Sequence, residues 1–256
     1  MGGLVVLLPC LDEEQALPDL LLRLADVVTE LPTSLPLSIM VVDDGSVDRT
    51  AAIAETGIAT LTVSLLRHPK NRGLGAALRT GIEWFLNLPE GPDQPSWLVA
   101  MDADGTHPPE LLPQLCQALT TGPLADVAIA SRYAPGGEEH GLTALRCFYS
   151  RLTSFVLRLL ARIPNARDYS CGYRLYRRQA LARAARRFGE KLITEDSFVC
   201  MAELLIKLSR TGARIAEVPL KLHYELKTGA SKMNVPATIR RYIALAWHVL
   251  FSPGWR

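Results

Sequence analysis

The sequence has few cysteines, no long hydrophobic run and almost no net charge, and each absence excludes a class of protein. Its five cysteines are widely spaced and form no Cys-x-x-Cys pair, which favours unpaired thiols in a reducing compartment over a disulfide-rich secreted domain. No apolar run reaches the roughly 18 to 20 residues that a membrane-spanning helix needs. The net charge of +2 is too small to indicate nucleic-acid binding.

The N-terminal residues carry no basic leader. Met1 and two glycines run directly into the apolar stretch 4–8, which stops at Pro9. This pattern is typical of a first β-strand rather than a signal peptide. We therefore expect a cytoplasmic protein, associated peripherally with the cytosolic face of a membrane if it binds one.

The first half of the chain alternates short apolar runs with segments of helical periodicity. The runs lie at 4–8, 37–42, 61–66, 97–101 and 127–130, and the helical segments at 13–31, 48–55, 74–86 and 109–119. Alternation of this kind is typical of βαβ units, so it predicts an α/β fold with a doubly wound, mostly parallel sheet. At 256 residues the chain fits one large domain with an appended subregion.

After Arg132 the alternation stops. A loop rich in proline, glycine and glutamate at 133–141 is followed by an arginine-rich helical segment at 142–163, and a similar apolar segment with basic flanks ends the chain at 239–251. Basic residues far outnumber acidic ones between 146 and 191, which favours an anionic surface or ligand. The two helical segments either pack on the core or lie in a membrane interface.

Two carboxylates, Asp102 and Asp104, directly follow the apolar run 97–101. A buried strand would deliver both to the carboxyl edge of the sheet, where open α/β sheets bind ligands. Paired carboxylates suit Mg²⁺ or Mn²⁺, ions that complete their coordination with substrate phosphates. The alternative is a purely structural role, in which the two carboxylates form a turn that caps the helix beginning near Pro109.

Polar residues follow the three earlier strands as well. Asp43 and Asp44 end the second run, a turn from Pro9 to Glu13 ends the first, and the basic, glycine-containing segment 67–75 follows the third. The last of these leads into a predicted helix N-terminus, which suits a phosphate oxygen. Each feature alone could be a helix cap, but together they predict one ligand site at one edge of the sheet.

The joint pattern resembles the family 2 glycosyltransferases, in particular the polyprenyl-phosphate type represented by the dolichol-phosphate mannose synthases. The motifs that carry the resemblance are Pro-Cys-Leu-Asp-Glu at 9–13, Val-Val-Asp-Asp-Gly-Ser at 41–46, Asn-Arg-Gly-Leu-Gly-Ala-Ala at 71–77, Asp-Ala-Asp at 102–104, Ser-Arg-Tyr at 131–133, Ser-Cys-Gly-Tyr-Arg at 170–174 and Gly-Ala-Ser-Lys at 229–232.

This resemblance implies a GT-A-like fold with a glycosyltransferase domain at 1–233. A nucleotide-sugar half would span about 1–132 and an acceptor half about 133–233, and the amphipathic segment 234–256 would form a helical extension suited to a membrane interface.

For the donor, the resemblance implies a set of binding residues along the first half. The base and ribose would be held by Pro9, Glu13 and Asp43, with Asp44 and Arg72 nearby. Asp102, Ala103 and Asp104 would bind the donor phosphates, the two carboxylates through a Mg²⁺ or Mn²⁺ ion.

For the acceptor, the resemblance implies that Arg132, Arg146 and Ser150 bind a phosphate group. The last two are four residues apart and so share one helical face; the alternative is that Arg146 is simply an exposed arginine. Where the family's C-terminal motif carries arginine, this chain has Leu226, so the phosphate role would pass to Lys227 and Lys232. Thr106 likewise replaces a glutamine that often helps to hold the metal.

The implied reaction is an inverting transfer of a hexose, mannose or glucose, from GDP-mannose or UDP-glucose to polyprenyl or dolichyl phosphate. A phosphate acceptor, whose second pKa is about 6, needs no general base. A hydroxyl acceptor would need one, and Glu195 and Asp196 match the acidic pair that serves elsewhere in the superfamily; they could equally be a surface pair. The resemblance also allows a membrane surface, a membrane-anchoring partner or a homo-oligomer, and no nucleic acid.

Two other interpretations stay open on the sequence alone. Asp102 and Asp104 resemble the nucleophile and acid/base of haloacid-dehalogenase-type phosphatases, although in that family the motif normally lies near the N-terminus and here several strands precede it. A degenerate transferase that only binds a nucleotide is the non-enzymatic alternative.

Overall fold

The structure is a computed structural model that describes residues 2–31, 35–91, 94–121, 125–227 and 235–252, apart from the side chains of residues 144–146 and 235. The described strands are β1 (Leu4–Cys10), β2 (Leu37–Asp43), β3 (Thr62–Arg67), β4 (Trp97–Ala100), β5 (Val127–Ser131), β6 (Glu138–His140), β7 (Arg174–Arg177), β8 (Ile215–Pro219) and β9 (Lys221–His223). The described α-helices are α1 (Leu17–Val27), α2 (Thr50–Thr56), α3 (Leu74–Asn87), α4 (Leu112–Thr120), α5 (Ala144–Ala161), α6 (Arg178–Phe188), α7 (Cys200–Arg210) and α8 (Val235–Phe251).

Seven strands form the central sheet in the order β3-β2-β1-β4-β7-β5-β8. All neighbouring strands pair in parallel except β7, which runs antiparallel to both β4 and β5. The predicted α/β fold with a mostly parallel sheet is therefore confirmed. The sequence interpretation missed β7, which enters the sheet between β4 and β5, the strands that precede Asp102 and Arg132.

Burial explains why the strands and helices of the first half can be predicted from the sequence. Every side chain of β1 from Leu4 to Leu8 is fully buried, as expected for an internal strand of a parallel sheet covered on both faces. Helix α1 has a proline in its first turn and buries leucines at helical spacing, namely Leu17, Leu20, Leu21 and Leu24. Helix α3 packs on β1 and β2, and α4 packs on β5 and β8.

The second half adds a two-stranded parallel sheet of β6 and β9 and the long helices α5 and α8, which pack against each other. Both helices expose large apolar side chains, namely Phe148, Leu152, Phe155 and Leu159 on α5 and Ile243, Trp247, Leu250 and Phe251 on α8. Among the described residues, no helix combines the length and the apolar character needed to cross a membrane.

Candidate functional site

A cleft of about 520 Å³ opens at the carboxyl ends of β1, β2, β4 and β5. From the first half it is lined by Pro9, Glu13, Asp44 and the segment 102–104. From the second half it is lined by residues that include Arg132, Ser150, Asp196, Lys227 and Arg241. One cavity therefore collects most of the candidate donor residues and most of the candidate acceptor residues.

The side chain of Asp104 lies in this cleft beside the ammonium group of Lys227. Its Oδ2 accepts a hydrogen bond from Nζ of Lys227, and its Oδ1 accepts one from Oγ1 of Thr106 at 2.6 Å. Burial alone would raise the pKa of Asp104, but the hydrogen bonds from Lys227 and Thr106 lower it below its ordinary value. Asp104 is therefore held as a carboxylate, and its position already attracts positive charge.

Asp102 is positioned by residues that the sequence interpretation did not single out. Its backbone N–H donates to Nδ1 of His107 at 2.9 Å, and the His107 ring stacks on Tyr173 with centroids 5.2 Å apart. A Cβ added to Gly172 would lie 3.3 Å from Oδ1 of Asp102, so the glycine leaves room for the carboxylate. Burial raises the pKa of Asp102.

The carboxylate oxygens of Asp102 and Asp104 are ligands that suit a hard divalent cation. Among the described residues, no group of three or more histidine, cysteine or acidic side chains is arranged to hold a metal alone. Mg²⁺ commonly binds through one or two carboxylates and completes its shell with water and substrate phosphates. Asp102 and Asp104 supply that pair, and the ammonium of Lys227 on Asp104 shows that the site stabilises a cation.

On the donor side, Asp44 shapes the loop after β3. Its carboxylate accepts hydrogen bonds from the backbone N–H groups of Arg72 at 3.0 Å and Gly73 at 2.7 Å, and it lies 2.6 Å from Nδ1 of His68. Asp43 is fully buried; it accepts from the backbone N–H of Ser46 at 2.8 Å and lies 3.0 Å from Nε of Arg67. Neither Asp43 nor the exposed Arg72 lines the cleft.

The glycines at the N-terminus of α3 make contacts within the protein. The N–H of Gly75 donates to the carbonyl of Asp196 at 3.1 Å, and a Cβ on Gly75 would lie 1.8 Å from the carbonyl oxygen of Glu195. The N–H of Gly73 is taken by Asp44. These two amides, which we expected to suit a phosphate, bind protein oxygens instead.

Among the candidate acceptor residues, Arg132 is held in place by hydrogen bonds to two other side chains. Its Nε and Nη2 donate to the two oxygens of Asp168 at 2.8 and 2.9 Å, and Nη2 also donates to Oγ of Ser170 at 2.7 Å. Burial would raise the pKa of Asp168, but Arg132 lowers it to about 2. On its other side Nη1 lies 3.3 Å from Glu139. The guanidinium is thus oriented before any ligand arrives.

Ser150 reaches the same part of the cleft from α5. Its Oγ accepts a hydrogen bond from the Tyr133 hydroxyl at 2.8 Å and lies 3.5 Å from Oγ of Ser170. The side chain of Arg146 and the whole of Lys232 lie outside the described residues. Of the two candidate lysines, Lys227 is therefore the one that can be located.

The family model described as "Glycosyl transferase family 2" matches residues 5–184, which is more than half of the chain. The chain belongs to glycosyl transferase family 2. It is a glycosyltransferase, so the phosphatase alternative for Asp102 and Asp104 does not hold.

Relatives of this glycosyltransferase extend the match beyond the family domain. An undecaprenyl-phosphate mannosyltransferase of Micrococcus luteus is 35% identical over 90% of this chain and 87% of its own length. A polyprenol monophosphomannose synthase of Mycolicibacterium smegmatis is 32% identical over 90% of this chain and 80% of its own. A glucosyl-3-phosphoglycerate synthase of Mycobacterium tuberculosis, crystallised with Mn²⁺ and UDP, has a TM-score of 0.68 at 19% identity, covering 98% of this chain and 81% of that one. The last likeness supports the GT-A-like fold.

The acidic pair of this glycosyltransferase lies beside the cleft, and both carboxylates face arginines. Oε2 of Glu195 accepts a hydrogen bond from Nη1 of Arg241 at 2.9 Å, and Oδ1 of Asp196 accepts one from Nη2 of Arg79 at 3.1 Å. Asp196 lines the cleft. Neither acidic side chain is therefore an unengaged carboxylate.

Several residues that organise this glycosyltransferase site escaped the sequence interpretation, namely Arg79, His107, Tyr133, Asp168, Ser170 and Arg241. Three of them left a signal. Tyr133 and Ser170 belong to the motifs at 131–133 and 170–174, and Asp168 is one of the few acidic residues in the basic region 146–191. The others act through contacts that the spacing of residues alone does not reveal.

Proposed function

We propose that this glycosyltransferase transfers a hexose from a nucleotide sugar to a polyprenyl phosphate, with inversion at the anomeric carbon. The observation that carries the proposal is the single cleft shared by the carboxylate pair and by Arg132 with Ser150. Carboxylates that suit a metal-bound diphosphate line the same cleft as a preoriented arginine that suits an anionic acceptor. The names of the two bacterial relatives favour mannose, and hence GDP-mannose, over UDP-glucose.

On the donor side, Asp102 and Asp104 would hold a Mg²⁺ or Mn²⁺ ion, which when bound neutralises charge that develops on the departing nucleoside diphosphate. Pro9 and Glu13 line the cleft, where they would contact the nucleoside. Lys227 would move from Asp104 to the donor phosphates, because a cation that sits on the carboxylate lies within reach of any phosphate held there. Asp43 and Arg72 would contact the donor only after a local rearrangement.

On the acceptor side, Arg132 and Ser150 would orient the phosphate so that one oxygen attacks the anomeric carbon. A new bond forms between that oxygen and the sugar, and the bond from the sugar to the nucleoside diphosphate breaks. A phosphate monoester is already largely ionised near neutrality, with a second pKa of about 6, so the step needs no proton acceptor. The main contribution of these residues is proximity and relief of repulsion between two anions. Arg146 and Lys232 would add positive charge to this pocket.

The lipid tail would leave the cleft between α5 and α8. Tyr149, Ser150 and Thr153 from α5 and Ile239 and Tyr242 from α8 line the cleft, and both helices continue as exposed apolar surfaces. Exposed aromatic and aliphatic side chains with basic flanks are typical of a surface that binds a membrane interface. We therefore propose that the enzyme binds peripherally to a membrane surface, and we keep the cytosolic face as the expectation from the sequence.

The function is tested by incubating the full chain with polyprenyl phosphate, Mg²⁺ and radiolabelled GDP-mannose, UDP-glucose or related nucleotide sugars. Label from one donor is expected in the lipid phase, and none when the dephosphorylated polyprenol replaces the phosphate. Asp104→Asn should lower transfer by about 10²- to 10³-fold, the typical cost of removing a group that stabilises developing charge. Full transfer by Asp104→Asn in saturating Mg²⁺ or Mn²⁺, or label in the unphosphorylated alcohol, would overturn the proposal.

A further inference from the structure

The segment that carries Glu195 and Asp196 is anchored by side chains from two helices. Buried Glu203 on α7 accepts hydrogen bonds from the backbone N–H groups of Thr194 and Glu195, both at 2.9 Å. Arg79 on α3 donates to the carbonyl of Ile193, and Gly75 donates to that of Asp196. The backbone of the acidic pair is therefore fixed, and only its side chains are free to change partners.

Each side chain of the pair is matched with one arginine. Arg79 on α3 forms an ion pair with Asp196, and Arg241 on α8 forms one with Glu195. Glu195 also accepts a hydrogen bond from Oγ of Ser197 at 3.2 Å. Each ion pair occupies one oxygen of its carboxylate, Oδ1 of Asp196 and Oε2 of Glu195, and Asp196 lines the cleft.

A free carboxylate at this position would be a liability for an enzyme whose acceptor is already ionised. It could take a proton from water while the water oxygen attacks the anomeric carbon and the bond to the nucleoside diphosphate breaks, giving free hexose and nucleoside diphosphate. General-base assistance of this kind typically accelerates a reaction by about 10²- to 10⁴-fold. A carboxylate oxygen that already accepts a hydrogen bond from a guanidinium is poorly placed to accept a proton from water, because that position is occupied.

We infer that Arg79 and Arg241 are specificity-determining residues that keep Asp196 and Glu195 from acting as a general base, and so keep water and hydroxyl acceptors from competing with the lipid phosphate. This inference rests on the proposed function. It also explains why the chain retains an acidic pair beside the cleft without needing a base for its own reaction.

The test measures two products in one sample: free hexose released from the donor and hexose transferred to polyprenyl phosphate. Their ratio does not depend on the fraction of protein that is folded, so a partly unstable variant remains informative. Arg241→Gln removes one ion pair, Arg79→Gln the other, and Arg79→Lys keeps the positive charge. Arg240→Gln is the matched control, because it removes one exposed charge from the same helix.

Each glutamine variant should raise the ratio of hydrolysis to transfer by about threefold to fivefold, the effect of a partly exposed ion pair, and the double variant by roughly tenfold. Adding Asp196→Asn to Arg79→Gln, or Glu195→Gln to Arg241→Gln, should return the ratio to its starting value. Arg240→Gln and Arg79→Lys should leave the ratio of hydrolysis to transfer unchanged.

An unchanged ratio in Arg79→Gln and Arg241→Gln, with transfer to polyprenyl phosphate intact in the unaltered enzyme, would overturn this inference alone. A raised ratio that persists after Asp196→Asn and Glu195→Gln are added would also overturn it, because the gain would then not come from a carboxylate base. If the unaltered enzyme transfers no sugar to the lipid, the proposed function itself fails.

Discussion

At the scale of single residues, Lys227 occupies the place where a divalent cation would approach Asp104. The ammonium and the carboxylate are both largely buried, with 14% and 10% of their side chains exposed. A metal ion that arrives without nucleotide must displace this lysine, whereas one that arrives with a diphosphate offers the lysine a new anionic partner. Under the proposed function, Lys227 would therefore favour binding of metal and donor together.

Lys227→Met should raise the affinity for Mn²⁺ in the absence of nucleotide by about tenfold, a change of about 1.4 kcal/mol, because the ammonium that competes for Asp104 is removed. Electron paramagnetic resonance of free Mn²⁺ measures this directly. Lys221→Met, which removes an exposed lysine paired with Glu138, is the matched control and should leave the affinity unchanged. An equal or weaker affinity in Lys227→Met would contradict the competition.

The buried pair of Asp168 and Arg132 predicts a pH-dependent contribution to stability. The pKa of Asp168 is lowered to about 2 in the folded protein, below its ordinary value of 3.8. Its contribution is therefore complete above the unfolded pKa and is lost as the pH falls through the folded one, a change of about 2 kcal/mol.

Asp168→Asn should lower the free energy of unfolding by about 3 to 5 kcal/mol at pH 7, because it leaves Arg132 buried without its main counter-ion. Urea denaturation at pH 7, 5 and 3 checks the sign: the gap between the unaltered protein and the variant should narrow towards pH 3. A gap that stays constant with pH would show that Asp168 does not stabilise the fold through its charge.

At the scale of elements, α3 fits against the acidic segment only because its first turn carries glycine. Gly75→Ala should destabilise the protein by about 1 to 3 kcal/mol, the usual cost of forcing extra atoms into a packed site, since its Cβ would meet the Glu195 carbonyl at 1.8 Å. Gly91→Ala, whose Cβ would make an ordinary 3.5 Å contact, should change stability little. Thermal unfolding of the two variants compares them, and equal melting temperatures would contradict the close packing.

The elements also show where sequence reasoning succeeds. The strands β1, β2, β4 and β5 are apolar runs, so their composition alone identifies them. Their alternation with helical segments along the chain predicts a mostly parallel sheet. Strand β7 is four residues long and begins and ends with arginine. Arg174 is fully buried there because it donates to the carbonyls of Met201 and Tyr169, two contacts that no local pattern encodes.

The same distinction holds for the site. Asp102 and Asp104 are recognisable because they follow a strand directly, whereas Ser150 is predicted only through the resemblance to the family, with which its helical spacing from Arg146 agrees. His107 can be found only once its ring is seen against the backbone of Asp102. Asp43 illustrates the opposite case: its position at a strand end is predictable, but its burial against Arg67 and Ser46 depends on how the neighbouring strand and loop fold back.

At the scale of the whole molecule, the exposed faces of α5 and α8 predict binding to lipid. Phe155 and Trp247 are 59% and 63% exposed. Replacing both with serine should weaken flotation with anionic liposomes by about tenfold or more, since burying one large apolar side chain contributes about 1.5 to 3 kcal/mol. Leu22→Ser, at a similarly exposed leucine on α1, is the control. Equal flotation of both variants would count against these helices as the membrane surface.

The position of β7 makes the donor and acceptor halves interdependent during synthesis. A nascent chain that ends at residue 132 contains β4 and β5, but the strand that joins them is not yet made, and the other neighbour of β5 follows only at Ile215–Pro219. At that length β5 has none of its sheet partners and β4 has one open edge, the kind of surface that invites mispairing. The proposed nucleotide-sugar half at about 1–132 is thus not a folding unit by itself, and much of the chain beyond it must be synthesised before the sheet is complete.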